Sequence, residues 1–398
     1  MQIKERLLNT IRGLPTDELP YLPRLDIWYN ANKFCGTLPE KYKNASLKEM
    51  TEDLGIGYHY IIPDYKCWDG EGRDDDIGLG HYRFNTKPFR LEFHNMKREI
   101  SEDGKGNTHI RYITPVGEVS TTYHYDQNMK RCGLTLNVIS EHAIKCDADY
   151  ETVAYIFENC EVIPDYEKYH RFRNEVVGEN GVCVGYAAAW ASPMHYIAQD
   201  LMDFEFRCSE QAENEDMMLM LEQRLVPFFD KIFDAALNSD AEVILSGANY
   251  DRAITPPNMF ARFITPYLQK QSKLCHERGK FLLSHTDGEN RGLLEEFVKS
   301  GMDVADSICP APMTSLTLRD VRDVFKDRIT IWGGIPAACL LENTMNDLEF
   351  DRYLDMTLET IGDGRKIILG IADTTPPAAK LDRIMKIAKR CKEFGPVR

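Results

Sequence analysis

The chain has 398 residues, 43% hydrophobic and 28% charged, a composition that supplies the core of a globular protein. Its 63 Asp and Glu outnumber 48 Lys and Arg, and the resulting net charge of −15 argues against a phosphate-tracking nucleic-acid surface. No apolar run reaches the roughly 18 residues of a spanning helix, and eleven cysteines without a CxxC pair point to reduced thiols in a cytoplasmic protein.

The opening twenty residues are charged and amphipathic, unlike a signal peptide. Tyr21–Trp28 then reads as a first strand. Residues 88–126 alternate in the manner of an antiparallel meander, with turn signals at Asp103-Gly104-Lys105-Gly106 and Pro115-Val116-Gly117. Residues 56–165 are expected to form an insertion near the mouth of a larger domain. Within it, the acidic run Asp74–Asp76 and the His81-Tyr82-Arg83 patch are expected at the surface. Val182–Ala187 reads as a strand. Residues 216–237 read as a long amphipathic helix burying Leu221, Leu225, Phe229, Ile232 and Phe233, with Met217, Met218 and Met220 filling gaps in the packing.

From there the rhythm is regular. Glu242–Ser246, Lys280–His285, Asp303–Ile308, Ile329–Trp332 and Lys366–Gly370 are short apolar runs suited to strands buried on both faces. Amphipathic helices separate them, one introduced by the capping box Thr317-Leu318-Arg319-Asp320. Strand and helix alternating at this spacing predict a parallel sheet. With no GxGxxG after any strand, the expected fold is a (β/α)₈ TIM barrel carrying an antiparallel β insert, one domain over residues 1–398.

Residues just past barrel strands face the catalytic mouth. Those positions hold Arg24, Asp26 and Trp28, then Tyr186 and Trp190, then Asn249 and Tyr250, and finally His285, Asp287, Asp306, Cys309, Trp332 and Asp373. His285-Thr286-Asp287-Gly288 is the sharpest feature, because alternate residues at a strand end put imidazole and carboxylate on one face. The pair can share a proton or, with Cys309 or Asp373, a metal such as zinc. The blander reading makes Asp287 a helix cap and His285 a core histidine. Arg24, Asp26, Trp28, Tyr186, Trp190, Asn249, Tyr250 and Trp332 are candidates for holding a substrate.

Glu5–Asp17 with Pro20, Ile254–Phe260 with Pro266-Tyr267, His285–Gly288 and Ile368–Pro377, in this order and spacing, resemble the uroporphyrinogen decarboxylase superfamily. That superfamily includes cobalamin-dependent methyltransferases. Its true decarboxylases carry an arginine-bearing loop after the first strand that clamps the acid arms of a tetrapyrrole. Arg24–Asn32 offers one arginine and an acid instead, so a polycarboxylate would lose its bidentate partners. The zinc methyltransferases carry His-x-Cys where this chain has His285-Thr286-Asp287, and a second Cys where Ile371 and Ala372 lie.

The resemblance is closest to relatives in anaerobes. It implies O-demethylation, the passing of a methyl group from a small methoxy compound to a separate corrinoid protein, zinc being the candidate metal. No Asp-x-His-x-x-Gly cobalamin module occurs in the chain itself. A decarboxylase-type lyase using Arg24 and Asp26 on a small acid, and a non-catalytic ligand-binding barrel, are the alternatives.

Overall fold

The structure is a computed structural model describing residues 1–59, 79–81, 86–134 and 136–398; the Asp74–Asp76 run and Arg83 lie outside the described residues. The meander expected over residues 88–126 forms over 97–124, while its first strand pairs elsewhere. After β1 (Phe89–Phe93), an antiparallel sheet runs through β2 (Lys97–Glu102), β3 (Asn107–Thr114), β4 (Gly117–His124) and β5 (Val138–Glu141). β6 (Cys160–Pro164) then returns to pair antiparallel with β1. The Asp103 carboxylate closes the β2–β3 turn by accepting from the Lys105 N–H at 2.7 Å and the Asn107 N–H at 3.1 Å. Ile110 and Tyr112 on β3, with Val119 and Tyr123 on β4, bury one face of the sheet. They share a core with Val153 and Phe157 of helix Asp147–Glu158 and Leu225 of helix Glu215–Leu237.

A second, six-stranded parallel sheet positions the chemistry. Its strands β7 (Gly185–Ala188), β8 (Val243–Ala248), β9 (Phe281–His285), β10 (Val304–Ile308), β11 (Thr330–Pro336) and β12 (Ile367–Ala372) lie side by side in chain order. Successive residues feed opposite faces. Val243, Leu283, Val304, Trp332 and Ile368 belong to one apolar cluster. Their neighbours Ile244, Leu282, Ala305, Ile331 and Leu369 pack with helix residues such as Phe297, Val321, Leu354 and Ile384 in another. Each such Leu or Ile contributes about 1.5–3 kcal/mol by leaving water, so shortening Leu283 to Ala would cost about 2–5 kcal/mol. The Thr317 cap forms as its motif predicts, its Oγ1 accepting from the Asp320 N–H at 3.2 Å.

The sheet continues past both edge strands. Tyr21 bridges in parallel to Leu369, and the Leu22 N–H donates to the Leu369 carbonyl at 2.8 Å. At the other edge the Tyr186 N–H donates to the Thr86 carbonyl at 2.9 Å. The first segment is nevertheless shorter than Tyr21–Trp28. A helix begins at Asp26 and runs to Cys35, ended by Gly36 at φ 68°. Trp28, Tyr29 and Ala31 bury one side of that helix. The segment Leu22–Tyr29 carries apolar residues at both strand and helix periods, which hid the boundary. No described helix is long and apolar enough to cross a membrane.

Candidate active site

Strand order and register bring four acid and base side chains together at the ends of β9, β10 and β12. Parallel pairing sets His285 of β9 opposite Asp306 of β10. Both side chains are buried, and His285 Nδ1 meets Asp306 Oδ2 at 2.7 Å. The other ring nitrogen, Nε2, lies 3.2 Å from Asp373 Oδ1, just past β12. Asp287 follows two residues after His285, and its carboxylate, that of Asp373 and the His285 ring each place a ligand atom within 4.8 Å of the others. Beyond Asp306 the β10 register shifts, and Ser307 takes φ 66°, a left-handed conformation rare for a residue with a side chain. That bend turns Ser307 Oγ towards Asp373 Oδ1 at 3.3 Å.

The segment beside β12 supplies two more, Arg24 and Asp26. Arg24 grips Asp26 with Nε and Nη2 at 3.1 and 3.2 Å, and reaches both oxygens of Asp373 with Nη1 at 3.1 and 3.3 Å. The Thr375 N–H donates to the Arg24 carbonyl at 3.0 Å and fixes the two loops together. Asp26, Arg24, Asp373, His285 and Asp306 thus form one chain of alternating charge.

Electrostatics follow from this chain. Burial alone would lower the His285 pKa, but the Asp373 and Asp306 carboxylates outweigh it and raise the imidazole to about 10. Asp373 is held well below the usual carboxylate range, Arg24 and His285 overcoming its burial. Asp287 goes the other way: burial and then the Asp373 charge raise it. Burial, with Asp287 and Asp373 nearby, pushes the Cys309 thiol up to about 12, and its Sγ points at the Ala372 carbonyl, 3.8 Å away. Cys309 therefore stands beside the His285–Asp287–Asp373 trio as a protonated thiol.

The remaining residues singled out in the sequence are dispersed. Asn249, exposed with φ 61°, donates its backbone N–H to the His285 carbonyl at 3.0 Å. Tyr186 and Trp332 pack in the apolar cluster beneath the tips. Trp28 is buried, with its indole N–H on the Ala379 carbonyl at 2.9 Å. Tyr250 is buried against Phe260 and Phe297, its hydroxyl 2.8 Å from Ser284 Oγ. Trp190 donates to Asp200 Oδ2 at 3.0 Å. It packs beside His81, which is boxed by Trp190, Phe228, Tyr196 and Phe157 instead of lying at the surface.

Two neighbours of the site were not assigned a role from the sequence. Asp306 orients His285, but its partner is 21 positions away on another strand. His59 sits edge-on to Trp332, ring centres 5.8 Å apart, within the field of Asp306, Arg24, Asp26 and Asp373. Burial draws its pKa down to about 4, so it is neutral.

A family model for uroporphyrinogen decarboxylase (URO-D) matches residues 150–394, which carry β7 to β12 and every group of the site except Arg24, Asp26 and His59. Among solved structures, a methyltransferase from Methanosarcina mazei is similar in fold at 14% identity and a TM-score of 0.53, with 99% of each chain covered. No curated protein matches the chain.

Proposed function

Since the chain belongs to the uroporphyrinogen decarboxylase (URO-D) family, we propose that it is a cytoplasmic methyltransferase of that family, moving a methyl group from a small methoxy substrate to a corrinoid protein. In this reading the six-stranded sheet is part of a closed (β/α)₈ barrel, which its continuation at Tyr21 and Thr86 supports. The whole chain is one domain, with 56–165 a subdomain near the mouth. The observation that carries the functional reading is the convergence of His285, Asp287 and Asp373 within 4.8 Å, together with the capture of Arg24 by Asp26 and Asp373. The first supplies proton-donating groups. The second removes the guanidinium that a porphyrinogen carboxylate would need.

A divalent ion fits the trio by donor chemistry. Asp306 accepts from His285 Nδ1 and thereby aims Nε2 at the two carboxylates, the usual support for a ligating histidine. One nitrogen and two oxygens without thiolate suit zinc or another borderline to hard cation. His285, Asp287 and Asp373 would hold it, and it would supply Lewis-acid polarisation of the leaving oxygen.

The protein's own groups do the rest. Where no ion is bound, the His285 imidazolium, with Asp287 beside it, gives a proton to the ether oxygen as the methyl–oxygen bond breaks. The methyl carbon passes to the reduced cobalt of the corrinoid protein, and the demethylated alcohol leaves. Arg24 and Asp306 hold Asp373 and His285 in place, so that no reorganisation is needed as charge shifts. Asn249, exposed and holding the His285 carbonyl with its backbone N–H, lines the approach in this reading.

The test is reconstitution with a reduced corrinoid protein and uncharged aryl methyl ethers, following methyl–cobalt absorbance. Methyl–cobalt should appear only with enzyme and ether together. Its absence with every ether, while the same corrinoid protein accepts methyl from methyl iodide, would overturn the proposal. Carbon dioxide release without corrinoid would favour the lyase instead.

A further inference from the structure

The trio and its supports carry more carboxylates than cations, and the cations are already engaged. Among the described residues, the basic side chains in contact with these acids or within their field are Arg24, His285 and His59; Arg252 and Arg291, on the loops that follow β8 and β9, are exposed, and Arg291 donates to Ser315 Oγ at 2.8 Å. Arg24 spends Nε and Nη2 on Asp26 and Nη1 on both oxygens of Asp373. Both ring nitrogens of His285 are taken, one by Asp306 at 2.7 Å and the other by Asp373 at 3.2 Å. His59 packs against Trp332 and carries no charge. Asp287 remains outside these ion pairs, as a fourth acid facing the same space.

An anionic substituent entering here would meet carboxylates with their counter-cations turned inward. It would leave water without gaining a charge-assisted partner, which is costly in a partly enclosed site. An uncharged group avoids that cost, and a cationic one gains the field of the excess acid.

Resting on the methyl-transfer reading, we infer that the site is a charge filter: it takes uncharged or cationic methyl donors and rejects donors bearing a carboxylate. The same filter sets this site apart from one designed for a polyacid.

The experiment compares three ligands of one shape: 3,4-dimethoxytoluene, 3,4-dimethoxybenzylammonium and 3,4-dimethoxybenzoate. Binding to the full chain is measured by ligand-observed NMR and calorimetry without corrinoid protein. The benzoate should bind at least tenfold more weakly than the toluene, and the ammonium at least as well as the toluene. Asp287→Asn, and separately Asp26→Asn, which releases one side of Arg24, should each narrow the gap between benzoate and toluene; circular dichroism checks that both variants fold. Equal or tighter binding of the benzoate, no binding of the toluene and ammonium, or an unchanged gap in folded variants overturns the filter. The filter holding while methyl transfer fails with every ligand would instead overturn the methyl-transfer reading alone.

Discussion

The buried pair of His285 with Asp306 and Asp373 makes stability depend on pH in a defined direction. An imidazole raised from 6.5 to about 10 is stabilised as its cation in the folded chain. At about 1.4 kcal/mol per pH unit, this amounts to roughly 5 kcal/mol as an upper figure, and the side chain is too buried for solvent to screen much of it. Because the folded value lies above the unfolded one, this contribution is complete below pH 6.5. It is lost progressively as pH rises towards 10.

Urea unfolding of the wild type and His285→Gln across that range isolates the effect, since titrations elsewhere cancel in the difference. The wild-type advantage should shrink by several kcal/mol between pH 6.5 and 10. Asp306→Asn, which removes one of the two carboxylates, should flatten the same curve. A difference that stays constant with pH would refute the ion-pair assignment.

Three further outcomes follow from the same geometry. Gly80→Ala should lower stability by about 2–4 kcal/mol in thermal melts, because Gly80 has φ 74° and a Cβ there would lie 2.3 Å from Asp200 Oδ2 and 2.7 Å from Trp190 Cζ2. Arg24→Lys cannot reproduce the fork on Asp26 while reaching Asp373, so methyl transfer by folded protein should fall by about tenfold or more and the melting temperature should drop. Cys309→Ser should leave the metal content of dialysed protein unchanged by elemental analysis, whereas His285→Gln should abolish it, given where each side chain points.

Much of this arrangement was legible in the sequence, and the rest was hidden for identifiable reasons. Apolar runs bounded by turn residues mark β8 to β12 to within a few residues, because strands buried on both faces need continuous hydrophobicity. His285 and Asp287 are readable as a pair because they alternate on one strand. The pairing of Asp306 with His285 is not, since it depends on the register between neighbouring parallel strands. His59 follows no recognisable strand motif, and its place beside Trp332 is a tertiary fact. Trp28 reads as a strand residue because apolar residues crowd both sides of the helix start at Asp26. His81 looks like surface in a polar stretch, yet four aromatic rings from distant segments enclose it.

Single-turnover transfer from a ¹³C-methyl ether to a reduced corrinoid protein, compared between wild type, His285→Gln and Asp287→Asn of verified fold, tests the assignment of this site most directly. Labelled methyl–cobalt should form with the wild type and slow by about 100-fold or more in both variants. Transfer at the wild-type rate in either folded variant would place the chemistry somewhere other than these strand tips.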